Sequence, residues 1–423
     1  MSKLVLTNSS LPGDAPPAQC DSNMDSVTDT LDLAALEAFV GLIGAPLWSD
    51  RLRMVREAAR SPTRQGRQAL QRHCIELAID RLRRGLTERK MSPAERLIAR
   101  YAMDVAELHH RLTDAGRVRL HALLHTALVD EACLVPVFHL IRTAGLQRSR
   151  GFDVAFAGLE EDAPFDLLLS REGSDAELSC DVISAEDGRD VHRSAWFRLV
   201  DRVDPELQVW LASHPGRYIL KMTLPNGLKD KGDGVLAALH GRITAMLGSA
   251  RRADHDEAAV LRLDPLMLAA AQADELGLMP RLRDEFGPQA QLSVTAANGG
   301  VFVMAARAGR ENAVAAAVRH RLAALAPTRL TGTRPGILAM FMEDTDRIEW
   351  RALRDTLELE GETRQFMTNP EARSVVAVTC ASRLELFGLP EPDAVADGEL
   401  RFRNPAHPAA KAAGLSPAVL SST

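Results

Sequence analysis

At about residue 152 the apolar residues of this chain change their period. Upstream they recur every three or four positions, as on one face of a helix; downstream they alternate, as on a half-buried strand. A chain that carries the two patterns in separate blocks is neither an all-helical bundle nor an all-β sandwich. Before the change, Leu33, Leu36, Val40 and Ile43 form one helical stripe, and Ile75, Leu77, Ile79 and Leu82 a second that Gly85 closes. Ser92-Pro93-Ala94-Glu95 is a helix start, with Ser as cap, Pro at the first helical position and an acid in the first turn. A further helix is predicted over 117–134, restarted at Pro136 and running to Gly145.

After the change, strands are predicted at 152–157, 165–170 and 176–184, with a turn at Glu172-Gly173-Ser174-Asp175. A helix with Trp196, Leu199, Val200 and Val203 on one stripe follows, interrupted by Pro205, and then a fourth strand at 217–224. Beyond it, strands at 259–263, 291–296, 301–306, 336–342 and 374–380 are interspersed with helices at 235–247, 311–325 and 350–357. Asn298-Gly299-Gly300, between two alternating runs, reads as a hairpin turn rather than a phosphate loop. The fold class is α/β, a helical N-terminal region followed by a mixed-sheet core with an α/β extension. Residues 1–30 and 406–423 are expected to be disordered, 31–114 to form the helical region and 115–405 the α/β domain.

The net charge of -6 excludes a protein that coats nucleic acid or an anionic membrane, but leaves room for a local basic face. Such a face is offered by Arg51, Arg53, Arg56, Arg60, Arg64, Arg67, Arg81, Arg83, Arg84 and Arg89. Glu57, Glu76 and Asp80 are interleaved, so the same segment also reads as a solvated helical surface of ion pairs. Cys20, Cys74, Cys133, Cys180 and Cys380 are scattered without a CxxC pair, which argues against a disulfide framework or a zinc cluster. Reduced thiols, no apolar leader and no run of about 20 apolar residues give the expectation of a cytoplasmic protein with no membrane span. Neither GxxxxGK[ST] nor GxSxG occurs, which removes P-loop and α/β-hydrolase readings. His121 and His125 have the spacing of a two-His metal grip, with His109 and His110 upstream, but no HExxH is present and they read as packing or surface residues. At 4% aromatic content, extensive base-stacking platforms are not expected.

The chemistry-bearing residues sit at the strand ends. Pro164-Phe165-Asp166 opens the second strand. The third reads Glu177-Leu178-Ser179-Cys180-Asp181-Val182-Ile183-Ser184, followed by Ala185-Glu186-Asp187-Gly188-Arg189. Alternation puts Glu177, Ser179, Asp181 and Ile183 on one face and Leu178, Cys180 and Val182 on the other. Asp166 opposes the apolar face of Phe165, Leu167 and Leu169, so Asp166, Glu177 and Asp181 are predicted to share one side as an acidic, metal-binding cluster.

This order of elements and these strand-end residues resemble the PD-(D/E)xK nuclease superfamily, the restriction-endonuclease-like fold, over about 118–224, with Arg401–Pro405 as a closing strand of the same sheet. In that family the second strand opens with Pro-Asp, the third ends in Asp/Glu-x-Lys, and a first helix often brings a Glu. Asp166 matches the first acid and Glu131 the helix Glu. The Lys is missing. On Ser179-Cys180-Asp181, Ser replaces the acid and Asp the Lys; on Asp181-Val182-Ile183 the acid survives and Ile replaces the Lys. The resemblance implies Mg²⁺ held by Asp166, Glu177 and Asp181, with Glu131 and a migrated Lys221 as catalytic groups, because phosphodiester hydrolysis needs a metal-bound hydroxide and a cation to steady the developing charge. Arg189, His192 and Arg193 would then contact phosphates. Three readings stand at this point. One is a diverged, catalytically impaired member that binds DNA, RNA or a protein partner, in part through the Arg-rich helices. The second is an active Mg-dependent nuclease, and the third an interaction scaffold with no nucleic-acid role.

Overall fold

Among the described residues, eleven strands form two sheets. The computed structural model describes residues 33–60, 63–84, 91–130, 132–229, 233–249, 251–266, 281–283, 285–287 and 290–422. The strands are β1 (Asp153–Ala155), β2 (Leu167–Arg171), β3 (Ser174–Ser184), β4 (Arg217–Leu224), β5 (Ala253–His255), β6 (Val260–Pro265), β7 (Gln291–Ala297), β8 (Gly300–Ala308), β9 (Gly336–Glu343), β10 (Val375–Ser382) and β11 (Leu400–Arg403). The larger sheet has the order β1-β2-β3-β9-β10-β11 and the smaller β5-β6-β4-β8-β7. The chain is thus mixed α/β, as expected.

The larger sheet starts as an antiparallel meander, β1 to β2 to β3, and continues through two parallel pairings, β3 with β9 and β9 with β10. Glu172 and Gly173 have φ of 51° and 73°, the left-handed pair that a tight β2–β3 turn needs. All eight residues of β9 are buried, as befits a central strand covered on both faces. On one face lies the helix Val135–Ser149, whose His139 Nε2 is 3.0 Å from the Ala339 carbonyl oxygen. On the other, Leu338, Met340 and Met342 pack with Val318 and Leu322 of the helix Val314–Arg329 and with Trp350 and Phe366 of the next two helices. β11 closes the far edge antiparallel to β10.

The smaller sheet belongs to a lobe inserted between β3 and β9. The chain leaves the larger sheet at Gly188 and returns at Ala313, whose N–H donates to the Gly188 carbonyl at 2.7 Å. A Cβ on Gly188 would lie 2.4 Å from the Val314 Cα, so only glycine lets the two segments cross this closely. The lobe has its own core. The helix Arg193–Ser213 lays Trp196, Leu199, Val200, Val203, Leu207 and Leu211 against Leu220, Met222, Phe302 and Met304 of β4 and β8. Burying each such side chain contributes about 1.5–3 kcal/mol, which suffices to carry Pro205 inside the helix rather than at a break.

The helical region is not a separate body. Phe39 meets Trp48 and Phe138 edge-on, with ring centroids 6.4 and 6.2 Å apart, and Leu33–Thr423 forms one compact unit. The Ser92 start forms as expected, a reciprocal capping box with Glu95. Arg53–Asp50 and Arg60–Glu57 are surface pairs, whereas Asp80, met by Arg84, is buried, and Arg51 is 2% exposed and is held by Glu76. The expected disorder of 1–30 lies outside the described residues. That of 406–423 is overturned for the residues described: Ala410, Leu415, Ala418 and Val419 are buried, and the backbone N–H groups of Arg401 and Arg403 on the edge strand donate to the hydroxyls of Ser422 and Ser421. The tail covers an otherwise open sheet edge. Among the described residues no single helix is long and apolar enough to cross a membrane.

Gly188→Ala is expected to lower the unfolding free energy by about 1–3 kcal/mol in denaturant melts. Gly241→Ala, in a helix where a Cβ meets nothing within 4 Å, should raise it by roughly 0.5–1 kcal/mol.

Candidate functional site

The acids of β2 and β3 do share a face, and each has its own partner there. The strand register sets Leu167 opposite Leu178, so Asp166, one residue before β2, lies beside Ser179. Its Oδ2 accepts from the Cys180 backbone N–H at 2.7 Å and from the Ser179 hydroxyl at 3.3 Å. Arg329, at the C-terminal end of the helix 314–329, places Nη2 2.7 and 2.8 Å from the two carboxylate oxygens of Asp166. Two residues along β3 from Ser179, Asp181 accepts from Arg321 Nε and Nη2 at 2.6 and 2.9 Å, a bidentate pair. At the other end Glu177, with no exposed surface, accepts from the Thr331 backbone N–H at 2.8 Å and from the Thr331 hydroxyl, and Arg334 stands 3.6 Å away.

This geometry does not fit a divalent ion. A strand rises about 3.3 Å per residue, so Glu177 and Asp181 are separated by roughly 13 Å along β3. Ligand oxygens around Mg²⁺ or Ca²⁺ must all come within about 2.6 Å of one point. The Asp166 oxygens, which lie between the other two, face a guanidinium. Among the described residues no group of three His, Cys, Asp or Glu side chains is placed to hold a metal. The shared face expected for Asp166, Glu177 and Asp181 is present, while their convergence on one ion is not.

Lys221 stands elsewhere. β4 belongs to the inserted lobe and not to the larger sheet, so Lys221 Nζ lies 3.8 Å from Asp264 and 5.6 Å from the centroid of Phe286. Glu131 is outside the described residues. Arg189 is not a surface contact for phosphate: it is 2% exposed, its Nε donates to Glu349 at 3.1 Å, and its other nitrogens meet Glu349, Glu186 and the Asp344 carbonyl. It braces the end of β3 against the end of β9, because burial of a guanidinium demands paired acids. The neighbouring carboxylates outweigh desolvation and hold its pKa above the usual value, so it stays charged. Arg193 joins the same cluster through Asp346 at 3.4 Å and Glu349 at 3.5 Å, and His192 precedes it as the half-buried N-cap of the helix 193–213. His121 stands edge-on to His109, with ring centroids 5.2 Å apart.

Sequence reading missed Arg321, Arg329, Thr331 and Arg334. The one available signal was the pair of arginines two turns apart in an Ala- and Leu-rich helix, and ending that helix at 325 cut Arg329 away from it. No family model, no curated protein and no solved structure matches the chain.

Burial is the largest influence on the Asp166 carboxyl and raises its pKa above the usual 3.8, against the pull of Arg329, Cys180 N–H and Ser179 in the other direction. Since the folded value is raised, the stability linked to this group is complete at pH below about 3.9, the unfolded value, and is lost as pH rises through the folded one. Carboxyl-carbon NMR should therefore show Asp166 titrating above 3.8 in the wild type and higher still in Arg329→Met. A midpoint that drops in the variant would contradict the pairing.

Proposed function

We propose that this chain is a non-cleaving relative of the PD-(D/E)xK nucleases that binds nucleic acid through arginines of the helix 314–329 and the loop after it. The observation that carries the reading is the Arg329 guanidinium seated on both oxygens of Asp166. A guanidinium neutralises a carboxylate as a divalent ion would, yet it brings no water to deprotonate and no open coordination position. The element order supports the kinship: with the inserted lobe set aside, the larger sheet follows helix 135–149, β1, β2, β3, helix 314–329 and β9. The register favours Ser179-Cys180-Asp181 as the motif, because Ser179 is the residue beside Asp166. Serine then stands for the second acid and aspartate for the lysine.

The ligand chemistry follows from the arginines left at the surface. The side chains of Arg321, Arg329 and Arg334 are 46%, 35% and 42% exposed. Arg321 uses Nε and Nη2 on Asp181, and its Nη1 remains for an incoming phosphate oxygen. Such contacts follow a backbone rather than read a sequence.

The reading is tested with duplex DNA and structured RNA in Mg²⁺ and in Mn²⁺. Neither is expected to be cut, and binding measured by anisotropy should weaken linearly in log–log form as salt rises. Arg321→Ala with Arg329→Ala should reduce that slope by about 2. Metal-dependent cutting that disappears in Asp166→Ala would refute the non-cleaving reading. Absence of any salt-dependent binding would refute the nucleic-acid ligand and leave a protein partner in its place.

A further inference from the structure

The inserted lobe carries a second surface, at the edge of the smaller sheet. β7 ends that sheet, and among the described residues it pairs with β8 alone. The two strands are antiparallel, so successive residues of β7 turn their N–H and C=O groups alternately toward β8 and away from it. The Val301 N–H donates to the Gly216 carbonyl beside β4 at 2.9 Å, and not to its register partner Ala296. That sets the phase: Leu292, Val294 and Ala296 direct their backbone groups outward. The Val294 carbonyl accepts from Arg64 Nη2 at 3.2 Å, as an outward group must, and a carbonyl has a second lone pair for another donor.

A groove of about 290 Å³ follows this edge, with Leu292, Ser293 and Val294 on one side, Arg64 and Arg67 of the helix Arg64–Arg72 on the other, and Phe197 beside them. Each strand residue advances about 3.4 Å, so the outward groups from Leu292 to Ala296 span about 14 Å, the length of a five-residue strand. Arg64 is matched by Asp201 and Asp204, each 3.5 Å away. Arg67 is exposed and its side chain has no hydrogen-bond or ion-pair partner among the described residues. No carboxylate lines the groove. Ser293 is 6% exposed, and its hydroxyl is buried there without a partner. A buried hydroxyl left unpaired is costly, and an arginine without an acid leaves a positive potential, so a carboxylate suits both.

The two faces of the edge differ. Ser293 lies on the face covered by the helix 193–213, since its register partner Met304 belongs to that core, and the helix 64–72 packs against the same helix. Leu292 and Val294 lie on the other face, with Val303 and Ala305. A strand added here thus meets Arg67 on one face and apolar side chains on the other.

We propose that this edge docks an extended, acidic segment of a partner protein, which joins the sheet as a sixth strand antiparallel to β7. Its apolar residues stand opposite Leu292, Val294 and Ala296 and turn their N–H and C=O groups to β7, while its acids, at alternate positions, lie on the Ser293 face beside Arg67. Main-chain hydrogen bonds supply affinity and the alternate side chains supply specificity. None of Arg321, Arg329 and Arg334 lines this groove, so the proposal stands apart from the nucleic-acid reading.

The probe is the peptide Val-Glu-Val-Glu-Val, labelled with fluorescein at its N-terminus and titrated with the full chain by anisotropy. The wild type is expected to bind it with Kd below about 1 mM, and to bind Val-Lys-Val-Lys-Val at least about tenfold more weakly, because like charges then meet at Arg67. N-methylation of the valines removes the hydrogens that face β7 and should abolish binding. N-methylation of the glutamates removes hydrogens that point away and should leave it unchanged. Arg67→Glu, an exposed substitution expected to keep the wild-type melting temperature, should weaken binding about tenfold. Failure to bind the glutamate peptide, equal binding of the lysine peptide, equal effects of the two N-methylations, or wild-type affinity in Arg67→Glu would each overturn the proposal. So would sedimentation of the free chain as a dimer that the glutamate peptide dissociates, which places a second copy on the edge.

Discussion

The parallel pairing of β3 with β9, from Glu177–Gly336 to Ser184–Glu343, is the constraint from which the candidate site follows. Parallel neighbours cannot be joined by a hairpin and need a crossover. Here the crossover holds the inserted lobe and ends in the helix 314–329, which must lie across the sheet before the chain can enter β9. Arg321 and Arg329 reach the acids of β2 and β3 because the connection brings that helix over them. The Gly188–Ala313 crossing makes this tolerant of a large insertion, since the lobe begins and ends at neighbouring points.

Two groups of charges hold β3 in place. On its face, Asp166, Asp181 and Glu177 meet arginines that come after the inserted lobe. Beyond its C-terminal end, Arg189 ties Glu186 to Glu349 and to the Asp344 carbonyl, joining the exit of β3 to the exit of β9. Pairs of this kind add little net stability over an apolar replacement, but removing one partner leaves a buried charge exposed to the full cost of desolvation. Their effect is to fix the position of the lobe and the crossover helix against the sheet.

Local pattern in the sequence was sufficient for the elements and insufficient for their assembly. The alternation in 217–224 matches β4 from end to end, and the Asn298-Gly299 turn forms with φ of 50° and 78°. The shared face of Glu177, Ser179 and Asp181 follows from strand geometry alone. Alternation does not say which sheet a strand joins, and for that reason Lys221 was placed beside acids from which its sheet is separate. Nor could burial of Arg189 be read, because its partner Glu349 is 160 residues away. Pro205 and the tail after 405 show the same limit: a proline in a helix and an Ala-rich terminus are weak signals, and burial of Leu207 and Leu211 in the lobe's core, or docking on an open sheet edge, decides them.

The residues at 166, 179 and 181 are mutually consistent. An acid at 179 would lie beside Asp166 with no metal to separate the like charges, and cross-strand like charges destabilise a sheet. Serine donates to Asp166 instead. A lysine at 181 would face Arg321, whereas Asp181 binds it at 2.6 and 2.9 Å. With Arg329 on Asp166, serine at 179 is the residue that avoids a repulsion, and with Arg321 on the same helix the acid at 181 follows for the same reason. Asp166, Glu177 and Asp181 thus each have an arginine partner, and this face of the sheet is held by carboxylate–guanidinium pairs.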